Sequence, residues 1–152
     1  MQKKNFSILI KAPAEKVWKI MLGDKTFREW TNAFNPAGSY YKGDWSKGSK
    51  MLFLGPDPET GLEGGMVSRV VENRPNEFIS VEHLGIIIDG SEDTESEEAK
   101  KWTPAFESYS LKEKDGTTEV FIEVDVADEY VKMFDEAWPK ALKKLKEIAE
   151  RQ

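Results

Sequence analysis

The chain has 152 residues and no cysteine, which excludes disulfide bonds, thiol nucleophiles and thiolate metal sites. Its 22 basic and 28 acidic residues give a formal net charge of −6, which argues against nucleic acids and anionic membranes as partners. The apolar stretch near the first residue is too short for a signal peptide, and no run reaches the roughly 18 apolar residues of a membrane span. We therefore expect a single monomeric domain, residues 1–152, in the cytoplasm.

The beginning of the chain indicates a strand followed by two helices. Alternating apolar residues over positions 6–10 are typical of a half-buried strand. Pro13 suits the first position of a helix, and Gly23 suits the residue after its end. A second short helix is predicted over residues 24–31, with Thr26 as the first residue of a capping box.

Six antiparallel strands are predicted next, joined by turns rich in glycine, proline, asparagine and aspartate. They span residues 39–45, 50–54, 63–72, 78–84, 107–112 and 118–126. The last hairpin has the clearest turn, since Asp115 and Gly116 lie at its centre. In the final strand valine and isoleucine alternate with acidic residues, so we expect one face of the sheet to be buried and the other to contact solvent.

The longest irregular connection is predicted over residues 86–103. It begins with three isoleucines and continues through an acidic run over residues 92–98. Ser96 suits the N-cap of one or two helical turns, because two glutamates follow it directly. A connection of this length is typical either of a functional lid or of a disordered segment.

Residues 128–151 are predicted to form a long amphipathic helix. Its apolar stripe repeats at intervals of three and four and consists of Tyr130, Phe134, Trp138, Ala141, Leu145 and Ile148. Pro139 lies inside this helix and predicts a bend, which either bows the helix over a cavity or follows a packed core. At about 1.5 Å per residue the helix is roughly 35 Å long, so its stripe needs an equally wide surface to cover.

Three segments of the chain resemble those of the START-related superfamily, abbreviated SRPBCC. They are residues 10–18 at the first strand–helix junction, Phe27-Arg28-Glu29-Trp30 in the second helix, and residues 138–145 in the last helix. Within this superfamily the chain resembles the family named after the activator of the ninety-kilodalton heat-shock chaperone ATPase.

This resemblance implies an α+β helix-grip fold. A curved antiparallel sheet of about six to seven strands, in the order β-α-α-β-β-β-β-β-β-α, is expected to wrap around the long C-terminal helix and to leave a cavity beside it. Relatives bind lipids, hormones or polyketides in that cavity, some catalyse cyclisation, and the eponymous members stimulate a chaperone. Because one fold supports so many activities, the resemblance predicts the architecture and leaves the function to be argued from the site.

Motifs for catalysis and for metal or cofactor binding are absent from the sequence. It has no glycine-rich nucleotide loop and no G-x-S-x-G motif, and His83 is the only histidine. Residues 89–95 carry carboxylates at alternate positions, as a calcium loop does. Thr94, however, stands where that loop needs glycine, and Lys100 stands where it needs glutamate. We therefore predict no cofactor and no metal site.

Glu107 and His83 are the ionisable side chains that we predict near the cavity. Glu107 shares a strand face with Tyr109, and a carboxylate in an apolar pocket serves as an acid, a base or a ligand anchor. Alternatively, Glu107 lies near the strand end, paired with a lysine or in water. His83 shares a face with Ile79 and Val81, and we expect this face to point inward; the alternative is that the opposite face does. His83 is either a structural or a catalytic histidine.

Eight residues are the resulting candidates for the cavity lining: Trp30, His83, Trp102, Phe106, Glu107, Tyr109, Phe134 and Trp138. Their aromatic members either pack as core or surround a ligand in a pocket with few polar groups. The leading hypothesis is a non-enzymatic protein that binds a small hydrophobic molecule. The alternatives are a co-chaperone-like module whose acidic run meets a protein partner, and a cyclase or hydrolase that uses Glu107, Tyr109 or His83.

Overall fold

The computed structural model describes residues 1–151 and contains one sheet in which all neighbouring strands are antiparallel. The strands are β1 (Gln2–Ile10), β2 (Tyr40–Lys42), β3 (Lys50–Pro56), β4 (Glu63–Arg74), β5 (Phe78–Ile88), β6 (Ser91–Asp93), β7 (Ala105–Lys114) and β8 (Thr117–Val126). Seven of them follow the order β1-β8-β7-β5-β4-β3-β2, and β6 pairs with the end of β5.

Within residues 1–151 four helices complete the fold: α1 (Ala14–Leu22), α2 (Asp24–Trp30), α3 (Glu97–Lys100) and α4 (Val131–Glu150). Short 3-10 turns over Thr31–Ala33 and Asp128–Tyr130 follow α2 and precede α4. α1, α2 and α4 contact one another and enclose the core against one face of the sheet, which we call the inner face. This order and arrangement confirm the predicted α+β helix-grip fold.

Strand β8 shows the division between the inner face and the outer face. Val120, Ile122 and Val124 are buried on the inner face, whereas Glu119 and Phe121, which flank Val120, are exposed on the outer face. A strand places successive side chains on opposite faces, so this alternation follows directly from the sequence. The prediction that one face of the sheet is buried is therefore confirmed.

Two local predictions, a hairpin turn and a helix cap, are also confirmed. β7 ends at Lys114 and β8 begins at Thr117, and the two residues between them, Asp115 and Gly116, have φ angles of 54° and 80°. Positive φ at both positions matches the right-handed twist of a hairpin, and aspartate and glycine adopt it readily. Ser96 caps α3, since its hydroxyl accepts a hydrogen bond from the Ala99 N–H.

The long C-terminal helix is confirmed, with its first turn, Asp128–Tyr130, in 3-10 form and α4 continuing from Val131. One prediction about a helix start is wrong. Thr26 does not cap α2, which begins earlier, at Asp24. The Thr26 hydroxyl instead donates to the carbonyl of Ile20 at 2.5 Å and ties α2 to the end of α1.

The prediction of an irregular connection over residues 86–103 is wrong for its first part, since β5 continues to Ile88. Within β5, His83 pairs with Ser68 and Gly85 pairs with Val67, so Leu84 between them is an extra residue, a β-bulge. A bulge of this kind lets a strand continue while its side-chain alternation changes, which single-sequence periodicity does not reveal.

The bulge at Leu84 determines which isoleucines reach the core. Before it, Ile79 and Val81 are fully buried on the inner face, as we expected. After it, Ile87 packs with Leu54 in a small cluster separate from the main core.

No helix within residues 1–151 has the length and apolar character that crossing a membrane requires.

Trp138 lies at the centre of the main core. Its ring stacks on Phe6 of β1 at a centroid distance of 5.9 Å and meets the edge of Phe34 at 4.9 Å. Trp30 of α2 and Tyr109 of β7 complete its surroundings, at 6.2 and 6.1 Å. One side chain thus joins α4 to the sheet and to α2, and only 2% of it is exposed.

Replacing Trp138 with alanine is expected to lower the free energy of unfolding by about 3–5 kcal/mol, the range for emptying a large aromatic side chain from a core. Met133→Ala is the matched control, because Met133 lies on the same helix and is 45% exposed; its expected cost is below about 1 kcal/mol. Denaturant unfolding of both variants measures the difference. A cost for Trp138→Ala no greater than for Met133→Ala would contradict this role.

Candidate functional site

A cavity of about 230 Å³ lies between the inner face of the sheet, α2 and α4. Seven of the eight predicted residues line it: Trp30, His83, Trp102, Glu107, Tyr109, Phe134 and Trp138. Phe106 does not line it, and 41% of Phe106 is exposed. The reason is the alternation of β7, which directs Ala105 and Glu107 inward and therefore Phe106 outward.

Phenylalanine, tryptophan and tyrosine contribute eight of the residues that line the cavity. Phe34 contacts both Phe134 and Trp138, with centroids 6.0 and 4.9 Å apart, so α4 and the 3-10 turn after α2 share one aromatic surface. Phe27 and Phe53 line the cavity as well, and their rings lie 6.2 Å apart. The sequence analysis missed Phe27, Phe34 and Phe53 as cavity residues, and the unbroken apolar run over residues 51–54 gives no alternation that would assign Phe53 to one face.

The cavity mouth lies near the start of α4. Trp102, which follows α3, packs against Tyr130 with a centroid distance of 4.4 Å. Met133, one turn further along, lines the cavity and is 45% exposed. The connection between β6 and β7 therefore contributes one side of the entrance through Trp102.

A chain of four polar side chains crosses the inner face at the cavity wall. Ser68 Oγ lies 2.6 Å from His83 Nδ1, within hydrogen-bond distance. His83 Nε2 lies 3.7 Å from Glu107 Oε1. The Tyr109 hydroxyl donates a hydrogen bond to the other oxygen of Glu107. His83, Glu107 and Tyr109 thus converge in one place, whereas Ser68 was not predicted, because only the strand register places it opposite His83.

The order serine, histidine, glutamate suggests a nucleophilic triad, but the geometry argues against one. Ser68 is fully buried and does not line the cavity, so a substrate there does not reach its hydroxyl. The hydrogen bond between Ser68 Oγ and His83 Nδ1 holds the imidazole ring so that Nε2 faces Glu107. Ser68 therefore orients His83, and the carboxylate is the group that the cavity presents.

Asp125 is a second carboxylate in the lining that the sequence analysis missed. One of its oxygens lies 3.2 Å from the ammonium of Lys3, and the other accepts the Phe106 backbone N–H at 2.9 Å. Asp125 borders the cavity, but both of its carboxylate oxygens already have partners in the protein, so its role is structural.

Tyr109 supplies the hydrogen bond that holds Glu107 in place. Burial raises the pKa of the Tyr109 hydroxyl well above its ordinary value, and the negative charge of Glu107 and the hydrogen bond to it raise the pKa further. The hydroxyl therefore stays protonated at neutral pH and remains a donor. Its ring, only 4% exposed, also contacts Trp138, so the polar wall is attached to the core.

The chain matches a family model over residues 11–150, almost its whole length. It belongs to the family described as activator of Hsp90 ATPase homolog 1-like protein, which confirms the resemblance noted in the sequence. Among curated protein sequences, none matches the chain significantly.

Solved structures share this fold at low sequence identity. Protein CV1439 from Chromobacterium violaceum is 20% identical, with a TM-score of 0.71 over 97% of this chain and 96% of its own. Protein NE0264 from Nitrosomonas europaea is 13% identical, with a TM-score of 0.75 over 98% and 94%. The Aha1 dimer from Colwellia psychrerythraea is 20% identical, with a TM-score of 0.69 over 99% and 97%. At these identities the likeness establishes the fold alone.

Tyr109→Phe tests the hydroxyl–carboxylate contact through its pH dependence. Because the pKa of Tyr109 is raised on folding, its stabilising contribution is complete below about pH 10, the pKa of an unfolded tyrosine, and is lost as the pH rises further. At neutral pH we expect Tyr109→Phe to lower the free energy of unfolding by about 1–3 kcal/mol.

Above about pH 10 this difference between wild type and Tyr109→Phe should shrink, by at most about 1.4 kcal/mol per pH unit. Denaturant unfolding of both proteins across the alkaline range measures it, and all other titrating groups cancel in the difference. Two parallel stability curves would show that the Tyr109 hydroxyl does not resist ionisation in the folded protein.

Proposed function

We propose that this protein binds a small hydrophobic, largely aromatic molecule in the cavity between the sheet and α4. The observation that carries the proposal is the composition of the wall, where eight phenylalanine, tryptophan and tyrosine residues accompany a polar group formed by His83, Glu107 and Tyr109. Small-molecule sites combine an apolar lining with a few placed polar groups in this way. Membership of the family is compatible with ligand binding and with a chaperone-associated role.

The size of the cavity limits the ligand. Its volume of about 230 Å³ exceeds the roughly 150 Å³ of an apolar cavity that holds benzene. It is smaller than the roughly 300–1,000 Å³ of sites for drug-sized molecules. A molecule of one or two rings therefore fits the enclosed part, and a longer substituent would extend through the mouth beside Met133.

Acid–base catalysis on the bound molecule is the second candidate function. Its support is the convergence of His83, Glu107 and Tyr109 at one wall, because imidazole and carboxylate groups are the side chains that acid–base catalysis most often uses. A hydrolase with a serine nucleophile is not supported, because Ser68 is buried away from the cavity. Chromatography and NMR of the molecule recovered after incubation separate the candidates, since a carrier returns the same compound and an enzyme returns a different one, including an isomer of equal mass.

The co-chaperone alternative finds less support in the acidic run. Glu92 pairs with Lys50 at 2.6 Å, and Glu98 pairs with Lys101 at 3.2 Å. Asp93 accepts hydrogen bonds from the Ser96 hydroxyl and backbone. Because the run has partners within the chain, it offers a basic protein less free charge than its composition suggests.

Phe134→Ala and Phe106→Ala form a matched pair that tests the site. Both remove one phenylalanine ring, but Phe134 lines the cavity and Phe106 lies on the outer face. With naphthalen-1-ylmethanol as a neutral two-ring probe, we expect the wild type and Phe106→Ala to show equal rises in melting temperature, because the ligand binds only the folded state.

Phe134→Ala should weaken probe binding by about 1 kcal/mol or more, or roughly five-fold, since one face of the ligand loses its aromatic contact. Calorimetric titration of the three proteins measures the affinities directly. Equal losses in both variants would place the probe elsewhere on the surface, and an absence of binding to the wild type would count against the proposed function.

A further inference from the structure

Acidic side chains outnumber basic ones in the lining of the cavity. Its lining includes the carboxylates of Glu107 and Asp125 and the imidazole of His83, but no lysine or arginine among residues 1–151. Lys3 already neutralises Asp125 at 3.2 Å. Glu107 is therefore the one carboxylate whose charge the surrounding lysines and arginines do not balance.

The two oxygens of Glu107 differ in their contacts. One accepts the hydrogen bond from the Tyr109 hydroxyl. The other, Oε1, lies 3.7 Å from His83 Nε2, which is beyond hydrogen-bond distance, and within residues 1–151 no other cationic group lies within 4.0 Å of the carboxylate. Oε1 therefore has capacity to accept a hydrogen bond from a further donor, and Glu107 is a residue of the cavity lining.

Burial makes this free acceptor significant. Only 21% of the Glu107 side chain is exposed, so the carboxylate has lost much of its hydration without gaining a charged partner. Half-buried charges in proteins are normally paired, and an unpaired one in a cleft marks a binding position. Trp30, Phe134 and Trp138 line the cavity as well, and an aromatic ring attracts a cation that lies over its face.

We infer that the ligand is an amine: an aromatic or other hydrophobic body carrying a protonated amino group that donates a charge-assisted hydrogen bond to Glu107 Oε1. The inference rests on the proposed function and specifies the chemical class of its ligand. The ammonium supplies the missing positive charge, and the ring system occupies the aromatic part of the cavity.

The same arrangement disfavours carboxylic acids such as fatty acids. An anionic headgroup at this wall meets the charge of Glu107 and has only His83 as a partner. The Ser68 hydroxyl already occupies one nitrogen of that imidazole, and the other faces Glu107. Like charges at short distance oppose binding, so selectivity follows from repulsion as well as attraction.

Three probes with one ring system test this inference on the wild-type protein: naphthalen-1-ylmethanamine, naphthalen-1-ylmethanol and 1-naphthoate. Calorimetric titration at neutral pH should rank the amine first, about ten-fold or more tighter than the alcohol, with the carboxylate weakest. An alcohol or carboxylate that binds as tightly as the amine overturns the amine assignment and leaves the proposed function standing. A failure of all three probes to bind overturns both.

Glu107→Gln tests whether the preference for the amine arises from Glu107. Glutamine has the same shape and keeps an acceptor for the Tyr109 hydroxyl, but it removes the charge, so the advantage of the amine over the alcohol should fall to within about two-fold. Glu119→Gln is the matched control, because it removes the same charge from the exposed outer face of the neighbouring strand. Thermal unfolding checks that both variants fold. An advantage that survives in Glu107→Gln, or that is lost in Glu119→Gln, overturns the role of Glu107.

Discussion

The fold depends on the contact between α4 and the inner face of the sheet. A sheet with one apolar face needs a cover, and α4 provides it with Trp138 at the centre of its stripe. Polar contacts fix the helix along β1: Lys4 pairs with Asp135 at 3.1 Å near its start, and Lys146 donates to the Leu9 carbonyl at 3.0 Å near its end. Helix and sheet are therefore held in one relative position, which defines the space between them.

The cavity results from the side chains that lie beside the contact between α4 and the sheet. Around Trp138 large apolar side chains fill the distance between α4 and the sheet, whereas at His83 and Glu107 polar side chains stand where apolar ones would complete the core. In a sealed core a void of about 230 Å³ costs on the order of 5 kcal/mol, a large part of the stability of a small domain. The same space that weakens the core makes a binding site, and its one unbalanced carboxylate gives that site chemical selectivity.

Prediction from sequence succeeded wherever one element carried its own signal. The alternation of β8, the Asp115-Gly116 turn, the Ser96 cap and the stripe of α4 each depend on neighbouring residues only. It failed where a distant partner changed the local rule. β5 continues past Leu84 because β4 and β6 pair with it. Phe106 is a different kind of error, because the alternation of β7 already places it on the face opposite Glu107 and Tyr109. Ser68 and Asp125 had no local signal, since strand register alone brings them to the site.

The sequence by itself therefore determined the order of elements, the buried face of the sheet and most of the aromatic residues at the cavity, because hydrophobic periodicity records which side of each element avoids water. The tertiary structure decided which polar groups meet. His83 comes from β5, Glu107 and Tyr109 from β7 and Ser68 from β4, and their distances follow from strand register and from one bulge. Whether a carboxylate has a cationic partner depends on these distances in space, because its charge is balanced by whichever groups the fold brings within a few ångströms.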